Sequence, residues 1–302
     1  MWMVLQNTAQ APIAQAAVLR FIAAVPARAV LDIETPRISD PAVMQALIAA
    51  VHRGVAVSAV VGVQPGSTNP QDLGNDPYYA SEKGWYDPLM QAGVRIMANP
   101  HYNELGATHV HPDLAAQDTF LADDGQAVIL TQPLSSKGLS APQKLVYTTS
   151  RRVAGALQKI LLADHTSTLA GRGVRKVLVV SPNAGVDIAR WIDHAPRTQP
   201  IYWETSALRA RNPVYDALLH QAAHLTLAVP SGWLGNAAIQ KLQAAGALVR
   251  SAPAHWSGTW ACQAHRCFLG SQRTTAQSLD RDRNVGVFVS RSAAGDIVQV
   301  PQ

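Results

Sequence analysis

The chain has 302 residues, 48% of them apolar and 15% charged, which is long enough for two cores and excludes a highly charged, core-poor chain. No stretch reaches the roughly 20 uninterrupted apolar residues that a membrane-spanning helix needs. The formal charge of +5 suits phosphate-bearing partners, but no dense Lys/Arg run with interleaved aromatics marks a nucleic-acid face.

Residues 11–29 are apolar and end in Ala27-Arg28-Ala29, which loosely mimics a signal-peptidase site. No basic stretch precedes them and Arg20 interrupts them, so they are expected to stay in the fold as a helix. A short strand follows at Leu31-Asp32-Ile33-Glu34-Thr35. Asp40-Pro41 then caps a helix with apolar positions at Val43, Leu47, Ala50 and Val51. The apolar run from Val55 to Gly62 suits a strand buried on both faces. Leu89 to Gly93 reads as a helix ending on its glycine, with a strand entered at Val94. A strand pair closes this half, from Leu130-Thr131-Gln132 to the run Lys144–Ser150.

A helix over Arg151–Ala163, a Thr/Ser/Gly-rich turn and an entering strand over Val174–Val180 lead into the second half. There the same order returns. Arg190-Trp191-Ile192 stands where Arg20-Phe21-Ile22 stood, and Ile201–Thr205 again ends in Glu-Thr. Asn212-Pro213 caps a helix carrying Val214, Leu218 and Ala222, and Leu225–Pro230 is the buried strand. Gly246 ends the next helix. Gly270-Ser271-Gln272 through Asn284–Ser290 matches the closing block of the first half at equal length. A repeat at this scale predicts two similar α/β units with mixed sheets, with a boundary near residue 168: one lobe over 1–168 and a second over 169–302.

Three stretches carry a family resemblance. Ala46–Val57 contains His52-Arg53-Gly54-Val55, a helix running through Arg-Gly-Val into a strand. Gln91–Ile96 contains Ala92-Gly93-Val94. Leu269-Gly270-Ser271 is followed by Ser278-Leu279 and Arg283–Val287. In this order they resemble the phospholipase D superfamily. The resemblance implies two lobes related by a pseudo-twofold axis, each a mixed sheet flanked by helices. It also implies a His-x-Lys-x-x-x-x-Asp motif from each lobe in the cleft between them. One His attacks phosphorus and the other serves as acid and base, while the lysines hold the phosphate oxygens. No cofactor or metal is implied.

The chain departs from that pattern. Counting back from Asp124-Gly125 puts Gln117-x-Thr119 at the first His-x-Lys; Gln is no phosphoryl acceptor and Thr carries no charge. His109 and His111 lie on the preceding loop as candidate catalytic residues, and as a His-x-His pair they lack a matched third metal ligand. In the second half His255 lies near the family's spacing, with Ser257 where the lysine belongs. Arg273 is a candidate to restore positive charge. Thr131, Gln132, Ser271 and Gln272 are candidates to hydrogen-bond an anion, and the matched Glu34 and Glu204 to anchor the core.

The expected function is binding of a phosphodiester, either a phospholipid headgroup or nucleic acid, in the inter-lobe cleft with weak or no catalysis. The alternative is a divergent phosphodiesterase or phosphatidyltransferase working through a phosphohistidine. A cytoplasmic protein with peripheral membrane contact is expected. Cys262 and Cys267 are placed to face each other across a hairpin and could bridge if oxidised; in an intracellular protein two reduced thiols are expected.

Overall fold

The computed structural model describes residues 2–8, 12–61, 86–98, 119–165, 171–196, 198–252, 257–280 and 283–294. The first lobe runs β1 (Trp2–Asn7), α1 (Ile13–Ala24), β2 (Val30–Thr35), α2 (Pro41–His52), β3 (Ala56–Val61), α3 (86–91), β4 (Arg95–Ala98), β5 (Thr119–Ala122), β6 (Ala127–Leu130), α4 (Ser136–Ser140), β7 (Gln143–Thr148) and α5 (Arg151–His165). The second lobe begins with α6 (Arg172–Arg175), β8 (Val179–Val180), α7 (Ala184–Asp193), β9 (Ile201–Thr205), α8 (Pro213–His220), β10 (Leu225–Pro230) and α9 (Ala237–Ala244). It continues with β11 (Leu248–Ala252), β12 (Thr259–Gln263), β13 (Arg266–Gly270), α10 (Ala276–Asp280), β14 (Val285–Ser290) and α11 (Arg291–Ala294).

Local chemistry sets the matched helices. The Asp40 side chain accepts hydrogen bonds from the N–H groups of Ala42 and Val43, both at 3.1 Å, and Pro41 opens α2. Asn212 does the same for α8, accepting from Tyr215 N–H at 2.9 Å ahead of Pro213. These side chains satisfy donors that a helix start leaves open. Gly93 and Gly246 sit at φ +99° and +104°, the left-handed region glycine enters without a Cβ clash.

Each lobe holds a seven-stranded sheet, ordered β1-β7-β6-β5-β2-β3-β4 in the first and β8-β14-β13-β12-β9-β10-β11 in the second. Position by position the orders are the same. In both, three strands run parallel and the rest antiparallel. The fold is α/β with two similar lobes about an approximate twofold axis. Each lobe has an outer core of its own. Between them lies a third core, built from Phe120, Ile129, Val146, Leu157 and Ile160 of the first lobe and Trp260, Leu269, Val285 and Val287 of the second.

Three expectations need correcting. The entering strand over Val174–Val180 shrinks to Val179–Val180, because the Val174 carbonyl accepts from Val177 and Leu178 N–H, both at 2.9 Å, and keeps the chain in a helical turn. The closing blocks match with a slip of one residue. Ile129 pairs with Val146 in one lobe and Leu269 with Val287 in the other. The equivalent amide bonds are Gln143 to the Gly138 carbonyl and Asn284 to the Ser278 carbonyl, each 2.9 Å, so the second lobe has one more residue in this link. Finally, Cys262 and Cys267 are direct partners across the β12–β13 hairpin, with Cα atoms 4.1 Å apart, and form a buried disulfide rather than two thiols.

Candidate functional site

The central strands β2 and β9 end in the matched Glu34-Thr35 and Glu204-Thr205. Beside them β5 and β12 begin at Thr119 and Thr259. Thr35 Oγ1 lies 3.2 Å from Thr119 Oγ1, donates to the Arg37 carbonyl and accepts from Leu134 N–H at 3.3 Å. In the second lobe Thr205 Oγ1 lies 3.0 Å from Thr259 Oγ1, donates to the Ala207 carbonyl and accepts from Thr274 N–H at 3.4 Å. All four threonines are buried. The same hydroxyl latch is thus built twice.

Strand register makes Thr259, rather than Ser257, the mate of Thr119, since Thr119 pairs with Leu130 and Thr259 with Gly270. Ser257, read from the sequence at the lysine position, lies two residues before this register mate of Thr119.

The lobes meet where β6 and β13 end. A Cβ placed on Gly258 would stand 3.0 Å from Thr131 Cγ2 across the seam and 3.2 Å from Ser271 Cα. Thr131 is 2% exposed, and its hydroxyl has no hydrogen-bond partner among the described residues. Ser271 Oγ accepts from Val285 N–H at 3.2 Å and so splices β13 to β14. The Gln272 side chain turns inward and donates to the Val179 carbonyl at 3.1 Å. It fills the space over two glycines: a Cβ on Gly270 would stand 2.0 Å from its Oε1, and one on Gly286 2.8 Å. Arg273, Gln132 and Ser257 are half-buried at the same edge, and Arg273 N–H donates to Ser278 Oγ at 2.8 Å. His109, His111, Gln117 and His255 lie outside the described residues.

Buried charges cross the seam beneath these groups. Lys144 Nζ of β7 pairs with Glu204 Oε2 of β9 at 3.0 Å and lies 5.4 Å from the centroid of the Trp260 ring. Tyr202 donates to the same carboxylate oxygen at 3.1 Å. Burial pulls the Lys144 pKa below the usual lysine value against the attraction of Glu204, and it pushes the Tyr202 phenol up, with the Glu204 charge adding to the rise. Arg283 grips Asp164 of α5 through Nε at 2.8 and 3.0 Å and through Nη2 at 2.5 Å, and donates from Nη1 to the Ser181 carbonyl. Glu34 hydrogen-bonds Asp164 as well. Burial raises the Asp164 pKa, opposed by Arg283 and by the Glu34 hydrogen bond. Each lobe's glutamate is therefore tied to groups across or along the seam, and the charges brace the interface.

Among the described residues no group of three His, Cys, Asp or Glu side chains is placed to hold a metal, and no helix is long and apolar enough to cross a membrane.

Solved structures supply the comparison that places this architecture. Phosphatidylserine synthase from Haemophilus influenzae Rd KW20 superposes on 99% of this chain and 84% of its own, with a TM-score of 0.63 at 10% identity. Polyphosphate kinase from Porphyromonas gingivalis superposes on 96% of this chain and 47% of its own, with a TM-score of 0.62 at 13% identity. The chain thus spans about half the length of that kinase. The fold is that of the phospholipase D superfamily. No protein-family profile and no curated protein sequence matches the chain. The register-matched Thr119 and Thr259 are both buried and uncharged.

Proposed function

We propose that the chain is a phospholipase D-like protein that binds a phosphodiester in the inter-lobe cleft, a lipid headgroup or a nucleic-acid backbone, with weak or no catalysis. The observation that carries this reading is the symmetry of the loss. Both positions that would clamp phosphate oxygens hold a threonine whose hydroxyl is turned to a neighbouring strand. Without those cations the charge that develops on phosphorus in the transition state has nothing preorganised to meet it there. Binding keeps support at the seam, where the buried Thr131 hydroxyl lacks a partner among the described residues, and half-buried Arg273 and Ser257 are the candidates to join it.

The two-lobed pattern reads as an internal duplication, with the boundary near residue 168. For location, the Cys262–Cys267 bond favours an oxidising compartment over the cytoplasm, where thiols are kept reduced.

Hydrolysis of bis(p-nitrophenyl) phosphate by the full chain, beside its His255→Ala variant, tests the reading. The expected result is no turnover above background for either protein. Turnover abolished by the substitution would establish the phosphohistidine alternative instead.

A further inference from the structure

The exposed side of α5 carries a feature the cleft does not use. Arg151, Arg152 and Lys159 are exposed on it and line a cavity of about 320 Å³ between α5 and α6. The floor is unusual for a helix pair. Gly155 of α5 and Gly173 of α6 both line the cavity, and a Cβ on either would meet no atom within 4 Å. Neither glycine has a positive φ or a close neighbour to require it. A mid-helix glycine also destabilises the helix by roughly 1 kcal/mol relative to alanine. What the two glycines do leave is bare backbone and open room beneath three cations.

Spacing strengthens the pattern. Arg152, Gly155 and Lys159 follow the i, i+3, i+7 rule for one helix face, and seven residues of helix put Arg152 and Lys159 about 10 Å apart along the axis. The ion pairs formed among the described residues leave all three cations out. The remaining walls are Ala156, Val174 and Val177, and among the described residues no aromatic ring lines the cavity to stack on a base. The site also lies at the end of the sheet away from the cleft. Helix α5 begins beside the β5–β6 turn, where a Cβ on Gly125 would be 3.8 Å from Arg151 Cγ. It ends at Asp164 on the lobe seam.

We propose that this cavity is an oligophosphate site, taking a compact ligand with two or three consecutive phosphates across Arg151, Arg152 and Lys159. A guanidinium presents a fork of N–H donors that matches phosphate oxygens, and an ammonium adds a point charge. Recognition goes to the phosphates alone, so a free oligophosphate and the tail of a nucleoside triphosphate are held alike. The site does not depend on the cleft reading, and either can fail without the other.

Isothermal titration of the full chain with sodium triphosphate tests the proposal. Saturable binding is expected that weakens as salt rises from about 50 to 200 mM. The double variant Arg152→Ala/Lys159→Ala should bind at least tenfold more weakly. Gly155→Met, which fills the cavity and leaves every charge, should also weaken binding, with its thermal transition no lower than that of the wild type. Lys241→Ala, an exposed cation on α9 outside both the cavity and the cleft, should leave the affinity unchanged. ATP should match triphosphate within a few-fold. The proposal is overturned by no binding to the wild type, by unchanged affinity in both cavity variants, or by an equal loss in the Lys241 variant. A short oligonucleotide bound tenfold more tightly than triphosphate, and lost in the cavity variants, would replace it with a nucleic-acid surface.

Discussion

Asp164 sits where burial disfavours a charge, between the guanidinium of Arg283 and the carboxyl of Glu34. Its folded pKa is raised above the 3.8 it has when unfolded. Between those two values the native state holds a proton that the unfolded chain has released, so stability from this group is fully present below pH 3.8 and falls as pH rises through the folded value. Urea unfolding across that range should show the wild type losing more stability with rising pH than Asp164→Asn, which cannot titrate. Asp164→Asn should also be less stable overall at neutral pH, because Arg283 loses its buried counter-charge. A wild type that instead gains stability over the variant above pH 3.8 would mean that the attraction of Arg283 outweighs desolvation. None of this was legible in the sequence. Glu34 and Glu204 stood out as a matched pair, but their partners lie far along the chain: Lys144 is 60 residues from Glu204, and Asp164 is 119 from Arg283.

Among elements, the helix starts were the legible part, because a cap is local chemistry. Asp40-Pro41 and Asn212-Pro213 mark α2 and α8 directly. The two caps differ in what else they hold. Asp40 also accepts from Gln15 Nε2, at 3.0 and 2.9 Å, and from Ser136 Oγ at 2.8 Å, pinning α1 and α4 to α2. Besides its capping bond, Asn212 donates to the Arg209 carbonyl. Chemical denaturation of Asp40→Ala should show a loss of about 2–3 kcal/mol, against about 1 kcal/mol for Asn212→Ala. Equal losses would show that the α1 and α4 contacts contribute nothing. Strand pairing was less legible. Nothing within residues 2–7 says that β1 pairs with β7, and the one-residue slip of β14 depends on a loop count that side-chain pattern does not report. The same dependence on register hid the equivalence of Thr119 and Thr259.

For the whole molecule, the core between the lobes decides how it unfolds. Leu157 and Ile160 of α5 are fully buried in a cluster that includes Trp260, Val285 and Val287. Neither lobe closes this cluster alone, so heating should give a single transition with calorimetric and van't Hoff enthalpies that agree. Leu157→Ala should move that transition as one unit, with a loss of about 2–5 kcal/mol. Two resolved transitions would falsify the shared core. The repeated order of elements made the two-lobed fold readable from the sequence, but not the core that the lobes share. Sequence periodicity reports which faces are apolar; it does not report which apolar face covers which.

That shared core also bears on the order in which the protein is made. The first lobe leaves the ribosome with its seam face finished but uncovered, since Trp260, Leu269 and Val287 are synthesised well after it. At typical translation rates of about 5–20 residues per second, the apolar side chains of Phe120, Ile129, Val146 and Leu157 wait on the order of 10 s for the surface that buries them. During that interval the nascent chain exposes a surface suited to a chaperone or to another nascent copy. Yield in a cell should therefore depend on translation speed through the second lobe as much as on the stability of the finished fold.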